Sequence, residues 1–314
     1  MNPGFEQPVL PGGYAWWYVD ALSDDGRNGI TVIAFIGSVF SPYYAWARRN
    51  TAGAPDPLHY CALNVALYGA GGKRWALTER GRHSVHCSAS SLKIGPSALT
   101  WDGSTLTISI DEVTVPLPSF IRGRVRLHPA ASTDRCFALD VERCHRWRPL
   151  APCARVEVEL QRPQLCWSGA GYLDSNAGDV ALEHGFCGWN WSRAALRDGS
   201  TAVLYDVVPR AGKRRALALR FDPSGDVLDF LPPPAVHLPR TRIWRVPRDT
   251  RGDAGNAASV KRTFEDTPFY ARSLVSAHLL GEPVLAVHES LSLERFAKRW
   301  VQALLPFRMP RVWR

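Results

Sequence analysis

The stretch "ARVEVELQ", residues 154–161, alternates apolar and polar side chains without a break. The apolar residues share one side: Ala154, Val156, Val158 and Leu160. Successive side chains of a strand point to opposite faces, so the pattern predicts a strand with one face buried and the other in water. Strands of this kind are typical of antiparallel sheets.

The same alternation recurs around short turns that contain glycine. Aspartate, serine and glycine adopt the backbone conformations of tight hairpins. The predicted hairpins span residues 15–40, 99–110, 195–207 and 216–230. Many short antiparallel strands predict a barrel or a sandwich, and a barrel of about eight strands encloses one small ligand. We therefore predict an all-β fold with few helices.

The length of the chain, 314 residues, favours two domains. We predict a boundary near residue 185, because "GWNW" (188–191) begins a new series of hairpins. Residues 1–185 would form the first domain, which holds the candidate site described below. Residues 186–314 would form the second domain.

The C-terminal segment "RFAKRWVQALLPFRMPRVWR" (295–314) combines basic residues with aromatic and aliphatic ones. A short helix is predicted from Leu291 to Leu305, and Pro306 would end it. Basic amphipathic segments bind membrane surfaces, so the tail predicts peripheral membrane association. A terminal helix packed on the barrel, with its basic residues in water, explains the composition equally well.

Charge and cysteine content limit the classes of partner. The net charge is +9, but Lys and Arg are scattered and accompany no nucleic-acid-binding motif, so nucleic acid is not predicted. Seven cysteines without a disulfide-framework spacing, and no signal peptide, predict a cytoplasmic protein with reduced thiols. The sequence contains no uninterrupted apolar run of about 20 residues, so no membrane span is predicted. No cluster has metal-ligand spacing and "GAGG" (69–72) indicates a hairpin turn, so neither a metal nor a cofactor is predicted.

A histidine and a tryptophan share a face in the segment "CFALDVERCHRWRP" (136–149). If the segment is one strand, its apolar inward face ends in His145 and Trp147. A histidine near an apolar face is more often a hydrogen-bonded core residue than a catalyst. With tryptophan two residues further on the same face, the two explanations are evenly matched.

A tyrosine and an aspartate share a face in the segment "GYLDSN" (171–176). Tyr172 and Asp174 follow three small residues on that face: Cys166, Ser168 and Ala170. If this strand lies beside the previous one, four polar or aromatic side chains meet across a cavity that the small residues keep open. A turn in which Asp174 and Asn176 bind their own backbone is the simpler alternative. The weaker acid–base candidates are Glu183 with His184, and Asp20 after Trp16 and Tyr18 on one strand face.

Several blocks of the sequence resemble one family. They are "GGYAWWYVDALSDDG", "IAFIGSVFSPYYAWAR", "DPLHYCALNVALYG", "RWALTERG", "CHRWRP", "GYLDSN" and "EHGFCGWNWSRA". From Gly12 to the region of Tyr270, the chain resembles the carotenoid 1,2-hydratases of purple photosynthetic bacteria, also called hydroxyneurosporene synthases. That family is similar to tandem lipocalin-like proteins, which include a fungal isoflavonoid hydratase and decalin-forming cyclases. The resemblance therefore implies two lipocalin-like β domains.

The resemblance also implies an activity. It is the addition of water to the 1,2 double bond of acyclic carotenoids such as neurosporene, lycopene and their 1-hydroxy derivatives, in spheroidene- and spirilloxanthin-type biosynthesis, with no metal or organic cofactor. The family's H-x-W and Y-x-D pairs correspond to His145, Trp147, Tyr172 and Asp174. Because the substrate is dissolved in the membrane, we expect peripheral association with the inner photosynthetic membrane.

An isolated alkene has no carbonyl to polarise, so its hydration must begin with protonation. We expect Asp174 to donate this proton, because burial keeps a carboxyl group neutral. Trp147 and Tyr172 would stabilise the carbocation through their ring faces. His145 would hold the attacking water as a base, unless Asp174 itself recovers the proton. A non-catalytic carrier of an apolar ligand and a polyene cyclase of the same fold are the alternatives.

Overall fold

The structure is a computed structural model that describes residues 2–50, 54–69 and 72–312. Strands dominate it and the helices are few and short, which confirms the predicted all-β fold. The chain divides into two compact units: Met1–Ala181 with Ala303–Arg314, and Leu182–Gln302.

The first unit contains one twelve-stranded antiparallel sheet. Its strands are β1 (Tyr14–Ser23), β2 (Gly29–Ile36), β3 (Cys61–Tyr68), β4 (Arg74–Arg80), β5 (Val85–Ser88), β6 (Ser91–Ile94), β7 (Ser97–Trp101), β8 (Leu106–Val113), β9 (Phe120–Pro129), β10 (Phe137–Ala138), β11 (His145–Arg162) and β12 (Leu165–Gly178). Their order is β4-β3-β2-β1-β12-β11-β9-β8-β7-β6-β5, and β10 pairs with β11. The first strand of the unit thus lies beside its last strand.

One apolar cluster explains the alternation in the sequence of the first unit. Val156, Val158 and Leu160 of β11 are buried in it, as predicted. Leu173 of β12 belongs to the same cluster, so the side chains that alternate with Leu173 along β12 point to the other face of the sheet. This assignment of faces positions the candidate site.

The second unit contains a seven-stranded sheet and a two-stranded sheet. Its strands are β13 (Phe186–Ala195), β14 (Thr201–Pro209), β15 (Arg215–Phe221), β16 (Val227–Asp229), β17 (Ala235–Leu238), β18 (Arg248–Arg251), β19 (Ser259–Asp266), β20 (Tyr270–Leu279) and β21 (Glu282–Ser292). The larger sheet has the order β16-β15-β14-β13-β21-β20-β19, and β17 pairs with β18. Here too the first strand lies beside the last long strand, so the central strands of the two units follow the same plan.

The four predicted hairpins are present. They join β1 to β2, β7 to β8, β13 to β14 and β15 to β16. Glycine is required in these turns, as Gly103 shows with its φ of 101°. Of the turn predicted at 69–72, Ala70 and Gly71 lie outside the described residues, and the Gly72 N–H donates to the Gly69 carbonyl at 3.1 Å.

Helices are confined to short segments. They are α1 (Pro42–Asn50), α2 (Leu182–Gly185), α3 (Leu293–Phe296), α4 (Arg299–Leu304) and the 3-10 turns Pro57–His59, Arg82–Ser84 and Leu305–Phe307. The prediction of one helix from Leu291 to Leu305 was wrong in its extent. Leu291 is part of β21, where it pairs with Tyr270 of β20, and the Ser292 side chain then accepts a hydrogen bond from the Arg295 N–H to begin α3. Sheet pairing outweighs the helical pattern at this position.

The C-terminal residues differ from the predicted organisation, because Ala303–Arg314 group with the first unit. Arg311 forms a parallel bridge with Glu79 of β4, and its guanidinium forms an ion pair with the buried Glu79 carboxylate. The same guanidinium lies 4.8 Å from the ring centroid of Tyr60. A buried carboxylate is destabilising unless a cation pairs with it, and the guanidinium of Arg311 is that cation for Glu79. Trp313 and Arg314, which belong to the predicted membrane-binding tail, lie outside the described residues.

Candidate active site

Three of the four candidate side chains meet at one carboxyl group. The Trp147 Nε1–H donates to Asp174 Oδ2 at 2.8 Å, and the Tyr172 O–H donates to the same oxygen at 2.8 Å. Asp174 is only 4% exposed, and Trp147 and Tyr172 are fully buried. Asn176 Nδ2 lies 3.4 Å from the other oxygen, Asp174 Oδ1. The simpler alternative, a turn at this position, is excluded because Asp174 and Asn176 lie within β12.

The site lies on the face of the sheet opposite to the apolar cluster. Asp174 alternates with Leu173, which is part of that cluster, and Trp147 stands opposite Asn176 on the same side as Asp174. The prediction that His145 and Trp147 end an inward apolar face was therefore wrong. The register of β11 shifts twice between Pro149 and Ala154, so the two bulges cancel, and Trp147 lies on the face opposite to Val156 that strict alternation along β11 assigns to it.

The segment 136–149 is a hairpin and not a single strand. Only Phe137–Ala138 forms β10, which pairs with Trp147 and Arg146 at the start of β11. Asp140 closes the intervening turn, because its carboxylate accepts hydrogen bonds from the Cys144 N–H at 3.1 Å and the His145 N–H at 2.9 Å. Val141, predicted to face inward, is 87% exposed. The result is that β11 begins at His145.

His145 is buried on the same face, but it is not brought to Asp174. It lies opposite Gly178, four residues along β12 from Asp174, which corresponds to about 14 Å between Cα atoms. A hydrogen bond of 2.8 Å joins His145 Nδ1 and the Tyr14 hydroxyl. Burial lowers the pKa of His145 below 6.5, so the imidazole is neutral at neutral pH.

The approach of Tyr14 and His145 depends on a glycine between them. A Cβ atom at Gly178 would lie 2.3 Å from the Tyr14 ring and 2.7 Å from His145 Nδ1. Tyr14 also stacks on Trp16, with ring centroids 5.0 Å apart. The histidine therefore belongs to an aromatic stack at one end of the site.

A second Y-x-D pair completes the site, and sequence analysis noted its aspartate, after Trp16 and Tyr18 on one strand face, as a weaker acid–base candidate. Tyr18 and Asp20 on β1 lie antiparallel to Tyr172 and Asp174 on β12, with Tyr18 opposite Asp174 and Asp20 opposite Tyr172. The Tyr18 O–H donates to Asp20 Oδ2 at 3.0 Å. We call these four residues the Tyr–Asp square. The repeated spacing in "YVD" (18–20) and "YLD" (172–174) is the signal in the sequence that could have identified it.

The tyrosine of β12 is held in its protonated form. Burial, followed by the charge of Asp174, raises the pKa of Tyr172 well above its usual value, and Asp20 acts in the same direction. The phenol is therefore a lasting hydrogen-bond donor to the carboxyl group. The rings of Tyr18 and Tyr172 meet edge to face, with centroids 6.2 Å apart, which fixes both hydroxyls.

The other candidates are placed elsewhere. Glu183 and His184 belong to the single turn of α2 in the second unit, and His184 is exposed. Of the small residues expected to keep a cavity open, Cys166 is exposed, while Ser168 and Ala170 are half-buried. Within residues 2–50, 54–69 and 72–312, no three His, Cys, Asp or Glu side chains are grouped as metal ligands.

Residues 32–314 match the family described as carotenoid hydratase CrtC. The chain is 59% identical over 311 residues to the acyclic carotenoid 1,2-hydratase of Thiocapsa roseopersicina, which covers 99% of this chain and 76% of that protein. It is 53% identical over 309 residues to the acyclic carotenoid 1,2-hydratase of Rubrivivax gelatinosus, covering 98% and 76% of the two chains.

Among solved structures, the chain is similar to a Nitrosomonas europaea protein assigned as AttH. The TM-score is 0.64 at 15% identity, over 93% of this chain and 99% of that one. At this identity the likeness bears on the fold alone, and it confirms the predicted lipocalin-like β architecture.

Proposed function

This chain belongs to the carotenoid hydratase CrtC family, and on that premise we propose that it adds water to the C1–C2 double bond of an acyclic carotenoid such as neurosporene or lycopene. The product is a tertiary 1-hydroxy carotenoid, and the enzyme is a hydro-lyase. The observation that carries the proposal is the Asp174 carboxyl group, which is buried and held by the indole of Trp147 and the phenol of Tyr172.

Asp174 is the proton donor in this proposal. An aspartate in water has a pKa of about 3.9 and holds no proton at neutral pH, whereas burial disfavours the charged form. Both strong donors bind Oδ2, so the proton resides on Oδ1. The Asn176 amide oxygen is buried and has no hydrogen-bond partner among the described residues. A half-turn of that amide lets its oxygen accept the Asp174 proton, which stabilises the neutral acid.

Protonation of C2 leaves a tertiary cation at C1, and the aromatic side chains stabilise it. Trp147 is the nearest ring to the acid, and a cation over its face gains on the order of 2 kcal/mol in a dry site. Phe137 packs against Trp147, with centroids 5.4 Å apart, and holds the indole plane. Because the cation is most stable at the tertiary carbon, the hydroxyl group is added at C1.

His145 acts in this proposal at the far end of the site. Its separation from Asp174 along β12 is too large for both groups to serve one double bond directly. Its hydrogen bond orients Tyr14, which stacks on Trp16. We therefore propose that His145 positions the aromatic stack of Tyr14 and Trp16, and that another residue takes the proton of the attacking water.

The test is incubation of the purified protein with lycopene, followed by mass spectrometry of the extracted pigment. A hydratase adds the mass of one water per modified end group. A polyene cyclase returns an isomer of unchanged mass with a different retention time, and a carrier returns the substrate itself. Either of the last two results would overturn the proposal.

The site must receive a membrane-dissolved substrate, so we also propose peripheral association with the cytoplasmic face of the membrane. No helix in the described part of the chain is both long and apolar enough to cross a bilayer. Phe307 in the C-terminal segment is 75% exposed, while Arg311 anchors that segment to Glu79. An exposed aromatic ring beside basic residues favours binding to anionic lipid.

Sedimentation with anionic liposomes tests the membrane proposal. Phe307→Ser is expected to reduce the bound fraction, because it removes the apolar anchor and leaves the Arg311 ion pair intact. Leu231→Ser, at a residue that is 88% exposed, is the matched control and is expected to bind as the unmodified protein does. Equal binding of all three proteins would remove the C-terminal segment from the proposal.

A further inference from the structure

We propose that Asp20 is the base of the hydration: its carboxylate takes the proton of the water that attacks C1, while Asp174 supplies the proton for C2. The inference rests on the proposed function and assigns its missing partner. It makes the two carboxyl groups of the Tyr–Asp square an acid–base pair.

The square places the two carboxyl groups on one buried surface. Asp20 is 1% exposed, and it faces the same side of the sheet as Asp174, because Asp20 stands opposite Tyr172 in the register of β1 and β12. Each carboxyl group accepts a hydrogen bond from the tyrosine two residues before it on its own strand. The arrangement has the symmetry of two antiparallel copies of one motif.

Distance favours Asp20 over His145 as the base. Asp20 and Asp174 are diagonal neighbours across one strand pair, a relation that separates residues by about 7–8 Å. Paired carboxyl groups that admit a water between acid and base in inverting glycosidases stand about 6.5–9.5 Å apart. C1 and C2 are bonded to each other, so the acid and the base that serve them must be no further apart than this. His145 is about twice as far from Asp174 as Asp20 is.

The proposal requires one carboxyl group that carries a proton, Asp174, and one that does not, Asp20. The Tyr–Asp square supplies both groups on one buried surface. The Tyr172 phenol, whose pKa is raised by burial, keeps its own proton and donates a hydrogen bond to Asp174.

The proton balance closes within the square. The Asp174 O–H bond breaks as the C2–H bond forms, and the π electrons of the double bond supply that bond and leave the cation at C1. A water oxygen then bonds to C1 and its proton passes to the Asp20 carboxylate. The proton that Asp20 gains equals the one that Asp174 loses, so loss of a proton from Asp20 to solvent water and uptake of one by Asp174 restore the starting state. No oxidant or further reactant is required.

Deuterium oxide separates the two steps. Asp174 delivers deuterium to C2, and a cation that is not captured by water can lose the original C2 hydrogen and return as labelled alkene. In Asp20→Asn, protonation by Asp174 persists and capture of water is slow. We therefore expect kcat for hydration to fall by about 10²-fold and the label recovered in substrate per hydration event to rise by about 10-fold. Asp174→Asn should lose labelling and hydration together.

The controls distinguish the possible failures. Asp134→Asn, at an exposed aspartate of the same unit, should match the unmodified enzyme in both measurements. Asp20→Asn with an unchanged ratio of label to hydration would overturn the role of Asp20, while hydration by the unmodified enzyme would leave the proposed function standing. If the unmodified enzyme does not hydrate lycopene, both proposals fail. If Asp20→Asn does not fold, Tyr18→Phe replaces it, and an unchanged ratio in that variant would overturn the inference.

Discussion

Asp174, which is buried, and Glu289, whose side chain is 13% exposed, carry carboxyl groups at corresponding places in the two units. Asp174 lies on β12 opposite Tyr18 of the first strand, and Glu289 lies on β21 opposite Trp191 of the first strand of its own sheet. Both face away from the apolar cluster of their unit. The donors to Asp174 are an indole and a phenol, whereas Glu289 forms an ion pair with the guanidinium of Arg272, whose Nε is 3.0 Å from Oε1.

The difference separates the proposed proton donor from a group that supports the fold. A guanidinium fixes a carboxylate by charge and geometry. Uncharged donors in a dry site stabilise the carboxylate less and allow it to hold a proton. The same sheet plan thus carries a candidate acid in the first unit and a structural ion pair in the second.

The largest expected effect comes from removing the acid. Asp174→Asn keeps the volume and the hydrogen bonds from Trp147 and Tyr172, but the amide cannot donate a proton to an alkene. We expect kcat for lycopene hydration to fall by about 10³-fold or more with the circular dichroism spectrum unchanged. A near-native rate in this variant would show that Asp174 is not the proton donor, and its proposed difference from Glu289 would be wrong.

The corresponding change in the second unit should act on stability. Glu289→Gln removes the charge of the Glu289 carboxylate from the buried Arg272 guanidinium, which costs about 3–5 kcal/mol in the free energy of unfolding. Denaturant titration measures this loss, and kcat under conditions where the variant is folded should stay within about twofold of the unmodified enzyme. Loss of turnover without loss of stability would contradict the structural role.

A histidine of the second unit should make that unit sensitive to acid. Burial lowers the pKa of His288 from 6.5 to about 4, so the unfolded chain binds a proton between these values and the folded chain does not. Stability is therefore complete above about pH 6.5 and falls by about 3 kcal/mol as the pH drops to 4. Denaturant titrations of the unmodified protein and His288→Gln across this range give the contribution as a difference in slope. Parallel curves would refute it.

The last two variants test the uncharged donor Trp147. Trp147→Phe removes the hydrogen bond to Asp174 but keeps an aromatic face, and we expect a loss of about 10-fold in kcat. Trp147→Leu also removes the ring, which adds on the order of 2 kcal/mol, or about 30-fold. Steady-state kinetics on both variants decides the point, since equal losses would show that the ring face contributes nothing to the cation.

Local patterns were enough to predict the hairpins and part of the site. Alternation identified Val156, Val158 and Leu160 as buried, and the spacing of two placed Tyr172 beside Asp174. The resemblance joined Trp147 to them, and the structure brings these three residues together. Each of these predictions depends on residues that are close in sequence or on a motif that is itself short.

Pairing between distant segments could not be predicted in the same way. The Tyr–Asp square depends on the register of β1 against β12, and these strands are separated by most of the first unit. The two bulges in β11 shift its pairing with β12 by two residues, so the partner of Trp147 could not be counted along the strands from the partner of Val156. The ion pair of Arg311 with Glu79 likewise joins the end of the chain to its first quarter.

Synthesis on the ribosome gives the β1–β12 pairing a further consequence. When β1 leaves the exit tunnel, β2 can pair with one of its edges, but the strand for the other edge emerges only after ten more strands have been made. At translation rates of about 5–20 residues per second, that edge of the nascent chain stays open for on the order of ten seconds. Open strand edges favour aggregation, so β1, which carries Tyr18 and Asp20, is exposed to aggregation until β12 has been synthesised.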